Sequence, residues 1–287
     1  MSLADYLRTH YTPATAKAYA REVDIYLSNY PSASSAVYAD ITAYLGALRK
    51  RYRSVATLNR ILAAIKVYYD YLCDAGIRTD HPARSILLKD KRSRDIQLQD
   101  LFTTDELELL LHKKERYNDL DYRNKVLISL LVYQALHPAE MEALQVADIN
   151  LEAGTIYIRS TPKTSGRELS LRPNQILLFY QYFQEVRPKL LNGHSSLALL
   201  IGLRGEMMKG EDITKHIKRR FKEIYPGRKV NAQTIRQSVI ANLLKAGHDL
   251  SVVQRFAGHK YPSATQQYRQ NEVETLAAAV HRYHPVQ

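Results

Sequence analysis

The chain has 287 residues, 45% hydrophobic and 24% charged, a balance that excludes an intrinsically disordered chain and, at roughly 100–200 residues per domain, suits two domains. Its 41 Lys and Arg against 29 Asp and Glu leave a net charge of +12, the balance of a protein with an anionic partner. One cysteine, Cys73, excludes an internal disulfide, and apolar runs such as Val126–Tyr133 fall far short of the roughly 20 residues of a membrane span. The opening Met1-Ser2-Leu3-Ala4-Asp5 has no basic or apolar signal region, so a reducing cytoplasm is the expected compartment.

The first 90 residues read as short helices. Thr12 is an expected N-cap with Pro13 at the first helical position. Leu45 and Leu48 share a face of the next helix. From Ala56 to Leu72, Leu58, Ile61, Leu62, Ile65, Tyr68, Tyr69 and Leu72 recur at spacings of three and four, an amphipathic pattern that ends near Gly76. No acid lies between Asp40 and Asp70, whereas Arg49, Lys50, Arg51, Arg53, Arg60 and Lys66 do, so this span reads as a phosphate-facing surface in preference to a plain solvated face. His81-Pro82 closes this helical part, and the charge-dense stretch that includes Leu88–Asp95 reads as a linker.

A second unit begins near Leu101. Thr104 is the expected cap of a helix carrying Leu107, Leu110 and Leu111, and Lys125–Leu136 reads as a buried helix with Pro138 opening another. Thr155–Arg159 and Glu168–Leu171 alternate apolar with polar around Pro162-Lys163-Thr164-Ser165-Gly166, a hairpin pattern; beyond Pro173 the periodicity is helical. The excess positive charge is shared, +5 in residues 1–100 and +7 in the remainder, as expected when both parts meet one long anionic backbone such as nucleic acid.

The usual nucleotide, zinc and hydrolase signatures are absent: there is no P-loop, no Gly-x-Gly-x-x-Gly, no Cys or His metal spacing and no Gly-x-Ser-x-Gly. What stands out is a helix from Thr234 to Gly247 with Arg236 near its start, then a short helix carrying Leu250, Val253 and Phe256, closed by Ala257-Gly258-His259, with Tyr268 following after eight residues. Each has a plain alternative: Tyr268 as a packing residue, His259 as a helix-terminal histidine, Arg236 as a surface cation, Lys163 as an ordinary turn lysine, His137 as a helix cap.

In this order the pieces resemble the tyrosine recombinase (phage integrase) family, and its Xer-type branch in particular. The resemblance runs over nearly the whole chain. Ala14-Thr15-Ala16-Lys17-Ala18-Tyr19 and the basic 56–72 helix resemble the family's core-binding domain, and Leu136-His137-Pro138-Ala139-Glu140-Met141-Glu142-Ala143-Leu144 with Asp148-Ile149 resembles its first catalytic box. Lys163 matches the hairpin lysine, Gln233–Arg236 the second box with its His-x-x-Arg pattern, Gly258-His259 and Tyr268 the last histidine and the nucleophile, and His281-Arg282-Tyr283-His284-Pro285 the Xer-type tail. Two positions depart from the pattern: His137 stands where the family has an arginine, and Gln233 where it has a histidine.

The resemblance implies a mostly α, two-domain fold clamped around duplex DNA. A helical, SAM-like core-binding domain at 1–88 and a basic linker at 89–100 would precede a mixed α/β catalytic domain with a small antiparallel sheet at 101–287. It implies double-stranded DNA as partner, a homo-oligomer (a tetramer) on DNA or a hetero-assembly with another recombinase, docking through a C-terminal helix at Leu276–Val280, and neither metal nor cofactor, because a phosphotyrosyl bond conserves the energy of the broken ester. By the same resemblance Tyr268 attacks the phosphate, arginines clamp it, and Lys163 and a histidine move protons. Guanidinium groups suit a phosphoryl centre that gains negative charge, and a phenol of pKa near 10 needs such a field to attack. A free histidine titrates near 6.5 and a nearby phosphate would raise that value, so a protonated His137 would act as a weak clamp and make cleavage faster near pH 6 than near pH 8. Two functions are expected: site-specific recombination or integration through a 3′-phosphotyrosine at Tyr268, impaired by the two substitutions, or a catalytically silent DNA-binding protein that regulates or partners an active recombinase.

Overall fold

The computed structural model describes residues 1–88, 101–112, 118–222, 224–225, 227–228 and 230–268. The expected linker at 89–100, the C-terminal helix at Leu276–Val280 and the tail at His281–Pro285 lie outside the described residues. Met1–Arg94 and Asp95–Gln287 form separate compact units.

The first unit consists of α1 (Leu3–His10), α2 (Pro13–Asn29), α3 (Tyr38–Arg51) and α4 (Val55–Asp74). Thr12 caps α2 with Pro13 in the first turn, as expected. The seven apolar and tyrosine positions anticipated on α4 are all buried, and α2 packs along them. Within this core the Tyr69 hydroxyl donates to the Ala33 carbonyl at 2.7 Å and so accepts from the Tyr26 hydroxyl at 2.8 Å, which satisfies both buried phenols. α4 stops at Asp74, so His81-Pro82 lies in the loop beyond it and does not end the helix.

The second unit contains α5 (Thr104–His112), α6 (Asn118–Gln134) and α7 (Pro138–Ala143), then β1 (Ile149–Asn150), β2 (Thr155–Ile158) and β3 (Arg167–Ser170). After the sheet come α8 (Pro173–Gln181), a π-type turn over Tyr182–Val186, α9 (Arg187–Leu191), α10 (Gly210–Phe221), α11 (Ala232–Lys245), α12 (Leu250–Ala257) and α13 (Ser263–Gln266). The cap of α5 is Thr103, one residue before the expected Thr104. Its hydroxyl accepts from Glu106 N–H at 3.3 Å while the Glu106 carboxylate accepts from Thr103 N–H at 2.8 Å, and that reciprocal pair needs the spacing of three that only Thr103 has.

The sheet is antiparallel in the order β1-β2-β3, with Thr155 opposite Ser170 and Ile158 opposite Arg167. The expected hairpin is β2–β3, and the two-residue β1 adds an edge too short to leave an alternating pattern in the sequence. α6 runs through the centre of the second core, with Val126, Leu127, Ile128, Leu130 and Leu131 fully buried, and α11 packs against it. This places Arg236, on α11, beside the end of α6.

Candidate active site

Three chain reversals of the second unit converge on one small volume. α6 ends at Gln134, and Ala135 adopts a left-handed backbone at φ 51°, uncommon for a residue with a Cβ. Its carbonyl accepts a hydrogen bond from Nη1 of Arg236. His137 then caps α7: its Nδ1 accepts from Ala139 N–H at 3.2 Å, Pro138 fills the first helical position, and the Glu140 carboxylate accepts from His137 N–H at 2.8 Å. With Nδ1 accepting, the ring proton sits on Nε2. Burial first, then Arg236 and Lys163, pull the His137 imidazole below its ordinary value against the pull of Glu140. In the chain without DNA these surroundings favour the neutral imidazole; the expected charged clamp depends on a phosphate beside it.

The second reversal is the β2–β3 turn. The Thr161 hydroxyl accepts from the N–H groups of Lys163 and Thr164 at 3.2 and 3.0 Å, which curls the turn and leaves Lys163 exposed. Thr164 pairs as an isolated antiparallel bridge with His259, and Ser165 N–H donates to the Gly258 carbonyl at 2.9 Å. The turn is thereby held on the third reversal, at the end of α12. There Gly258, at φ 68°, ends the helix in the left-handed conformation that glycine adopts without a Cβ penalty.

His259 follows, its Nδ1 at 2.8 Å from the Thr265 hydroxyl. The ring of Tyr268 stacks on it and is only 2% exposed, packed with Ile240, Ala241, Val253 and Ala257. Burial pushes the Tyr268 phenol above its ordinary value, and Arg236 together with a hydrogen bond to the Gln237 side chain opposes that rise. Burial, Arg236 and Arg167 pull the His259 imidazole down to about 4.

Arg236 is buried, its Nη2 donating to the Ala257 carbonyl at 2.6 Å, and its Nη1 lies 3.7 Å from Glu140 Oε2. Burial shifts this guanidinium downward, offset in part by Glu140. Glu140 is held more tightly by Arg167, whose Nη1 and Nη2 donate to its two oxygens at 2.7 and 3.3 Å, while Arg167 Nε donates to the Phe256 carbonyl at 2.7 Å. Burial pushes the Glu140 carboxyl up, but the Arg167 bonds, the His137 N–H and Arg236 outweigh it and keep it ionised. Two guanidinium groups against one carboxylate and two neutral imidazoles leave one positive charge in a buried, hydrogen-bonded cluster. Such a site is suited to a single anion.

The structure thus brings His137, Lys163, Arg236, His259 and Tyr268 together. Gln233 is exposed in the first turn of α11, one turn before Arg236. Glu140, Arg167, Gln237 and Thr265 were not anticipated. Glu140 had a usable signal, since an acid three residues after a residue that precedes proline is a capping-box pattern; Arg167 had none. In the first unit Arg49, Lys50, Arg51 and Arg53 are exposed around the end of α3, whereas Arg60 pairs with the largely buried Glu22 at 2.7 Å and Lys66 Nζ donates to the Arg84 carbonyl at 3.0 Å. Among the described residues no group of three or more His, Cys, Asp or Glu side chains is arranged to hold a metal ion. Among them, too, no helix is long and apolar enough to cross a membrane.

Residues 100–275 match the phage integrase family, and residues 3–76 match the phage integrase N-terminal SAM-like domain. The chain belongs to the phage integrase family. This family member is 28% identical over 247 residues to the tyrosine recombinase XerC of Pelotomaculum thermopropionicum, covering 84% of this chain and 79% of that protein. It is 27% identical over 248 residues to the tyrosine recombinase XerD of Oceanobacillus iheyensis, covering 86% and 82%. Among solved structures, the XerH site-specific recombinase bound to a palindromic difH substrate has the same fold, with a TM-score of 0.71 at 20% identity over 92% of this chain and 78% of that one. The Tn1549 transposon integrase in complex with transposon right-end DNA gives 0.67 at 17% identity over 96% and 100%. The expected fold class, helical with a SAM-like first part and a small antiparallel sheet in the second, is the fold observed.

Proposed function

We propose that this phage integrase family member carries out site-specific recombination on double-stranded DNA through a 3′-phosphotyrosine at Tyr268. The observation that carries the reading is the Tyr268 phenol stacked on His259 beside a buried cluster of net charge +1. In this reading Arg236 holds a non-bridging oxygen of the scissile phosphate, the Tyr268 phenol gives up its proton to solvent, its oxygen attacks phosphorus, and the bond to the 5′-oxygen breaks. Lys163, exposed at the hairpin turn, gives the departing 5′-oxygen its proton. Exchange and religation reverse these bonds with the partner strand. No cofactor enters, since each ester broken is replaced by an ester formed.

The domain limits 1–88 and 101–287, with 89–100 between them, belong to this reading, as do a cytoplasmic location and assembly on DNA as a tetramer or with a second recombinase. The sequences of the relatives named XerC and XerD, and the DNA-bound state of the fold neighbours, support it. Duplexes recovered by binding selection from a random pool, then nicked beside the selected site, supply a suicide substrate for the test. The expected result is a covalent adduct with the natural chain and none with Tyr268→Phe.

One observation favours a second reading, a silent DNA-binding partner of an active recombinase. His137 spends its Nδ1 on the cap of α7, and burial shifts its imidazole toward the neutral form, so it is a poor stand-in for an arginine there. Binding without adduct, in the natural chain and in His137→Arg with Gln233→His, establishes this reading instead.

A further inference from the structure

We propose that Arg167 is a positioning residue of the Tyr268 site: it engages the Glu140 carboxylate so that Arg236 keeps its charge free for a phosphate, and it clamps the Lys163 hairpin to the turn that carries His259. The inference rests on the strand-cleavage reading above for its cleavage arm only.

Three observations carry it. Arg167, on β3, spans three elements through Glu140 on α7, the Phe256 carbonyl on α12 and the Ser165 carbonyl in its own turn, at 2.7, 2.7 and 3.4 Å. A buried guanidinium is costly unless bonded, and an apolar side chain of similar volume would serve packing alone equally well. Next, both oxygens of Glu140 lie on the Arg167 fork, and Arg236 is left at 3.7 Å, an ion-pair distance without a hydrogen bond. Last, a Cβ at Gly258 would collide with Arg167 Nη1 and stand 2.9 Å from its Cζ, so Arg167 packs directly beneath the residue before His259, at a φ of 68° that itself favours glycine.

The charge balance makes a sharp test. With Arg167 present the cluster has net charge +1; Arg167→Met lowers it to zero and frees Glu140 to neutralise Arg236. Glu140→Gln in that background restores +1 while its amide oxygen can still accept from His137 N–H. On the nicked duplex, Arg167→Met is expected to form adduct more slowly, on the order of 100-fold, and the double variant Arg167→Met/Glu140→Gln to recover about 10-fold of that loss. The second readout is independent of cleavage. NMR titration of the His259 ring in the full chain should show its midpoint rise from about 4 in Arg167→Met and return toward that value in the double variant. Arg167→Lys, which keeps the charge but not the fork, should leave the midpoint low while slowing the adduct about 10-fold, and it serves if the methionine variant does not fold. A double variant no better than Arg167→Met in either readout overturns the proposal, since a residue that only packs gains nothing from removal of a carboxylate. If the natural chain forms no adduct, the cleavage reading falls and the His259 titration alone decides the role of Arg167.

Discussion

The His259 imidazole and the Tyr268 phenol lie nearly parallel, with ring centroids 6.3 Å apart and planes within 11°. Burial moves them in opposite directions, the imidazole down to about 4 and the phenol up, so both are neutral across the physiological range. Burial shifts the His137 imidazole down as well, toward its neutral form. Cleavage is therefore expected to quicken steadily from pH 6 to pH 9, as ionised phenol becomes more available, with no step near 6.5. Single-turnover adduct formation on the nicked duplex measures this; a rate that falls between pH 6 and pH 8 would restore a charged His137.

The same depressed imidazole affects folding. His259 titrates near 4 when folded and near 6.5 when unfolded, so between those values the unfolded chain binds more protons. Stability is full above 6.5 and declines as pH falls toward 4. Thermal denaturation should show Tm dropping through that window, and His259→Gln should flatten the drop. An equal acid sensitivity in the variant assigns the effect elsewhere.

His137→Arg exchanges a neutral cap for a permanent charge. The loss of the bond from Ala139 N–H is expected to cost about 1 kcal/mol of stability. Against that, a charged bond to phosphate contributes about 1.5–3 kcal/mol, which corresponds to an adduct rate raised about 10-fold or more. Urea denaturation and single-turnover kinetics on one preparation separate the two effects, and an unchanged rate removes position 137 from the site.

The six basic residues between Asp40 and Asp70 divide into two groups. Joint replacement of Arg49, Lys50, Arg51 and Arg53 by Ala should weaken duplex binding and reduce the slope of log affinity against log salt by up to about 4, roughly one per phosphate contact. Arg60→Ala should change that slope less and instead destabilise the unit by about 1–2 kcal/mol, because it strips the partner from largely buried Glu22. Fluorescence anisotropy across a salt series, with denaturation in parallel, tests both. A slope that does not change in the quadruple variant places the DNA surface elsewhere.

Local features of the fold were readable because they depend on neighbours in sequence. Thr12-Pro13 announces α2, the spacing from Leu58 to Leu72 announces α4, and the alternation either side of Pro162–Gly166 announces β2 and β3. Features set by distant partners were not readable. Arg167 meets Glu140 across 27 positions and Phe256 across 89, and no local pattern records either meeting. An acid-free stretch of sequence likewise did not make an acid-free surface, since α2 delivers Glu22 to Arg60. The site lay between. Its residues were found by their order along the chain, but the protonation of His137 and His259 follows from burial, which order does not carry.

Tyr268 is held at 2% exposure among Ile240, Val253 and Ala257. A reagent stored in this way is latent. On the strand-cleavage reading, chance collisions with DNA, or with any other electrophile, would find no exposed nucleophile to meet. The waiting time before a first cut would then include the time a phosphate takes to reach this covered oxygen, and that interval is set by packing and not by bond chemistry.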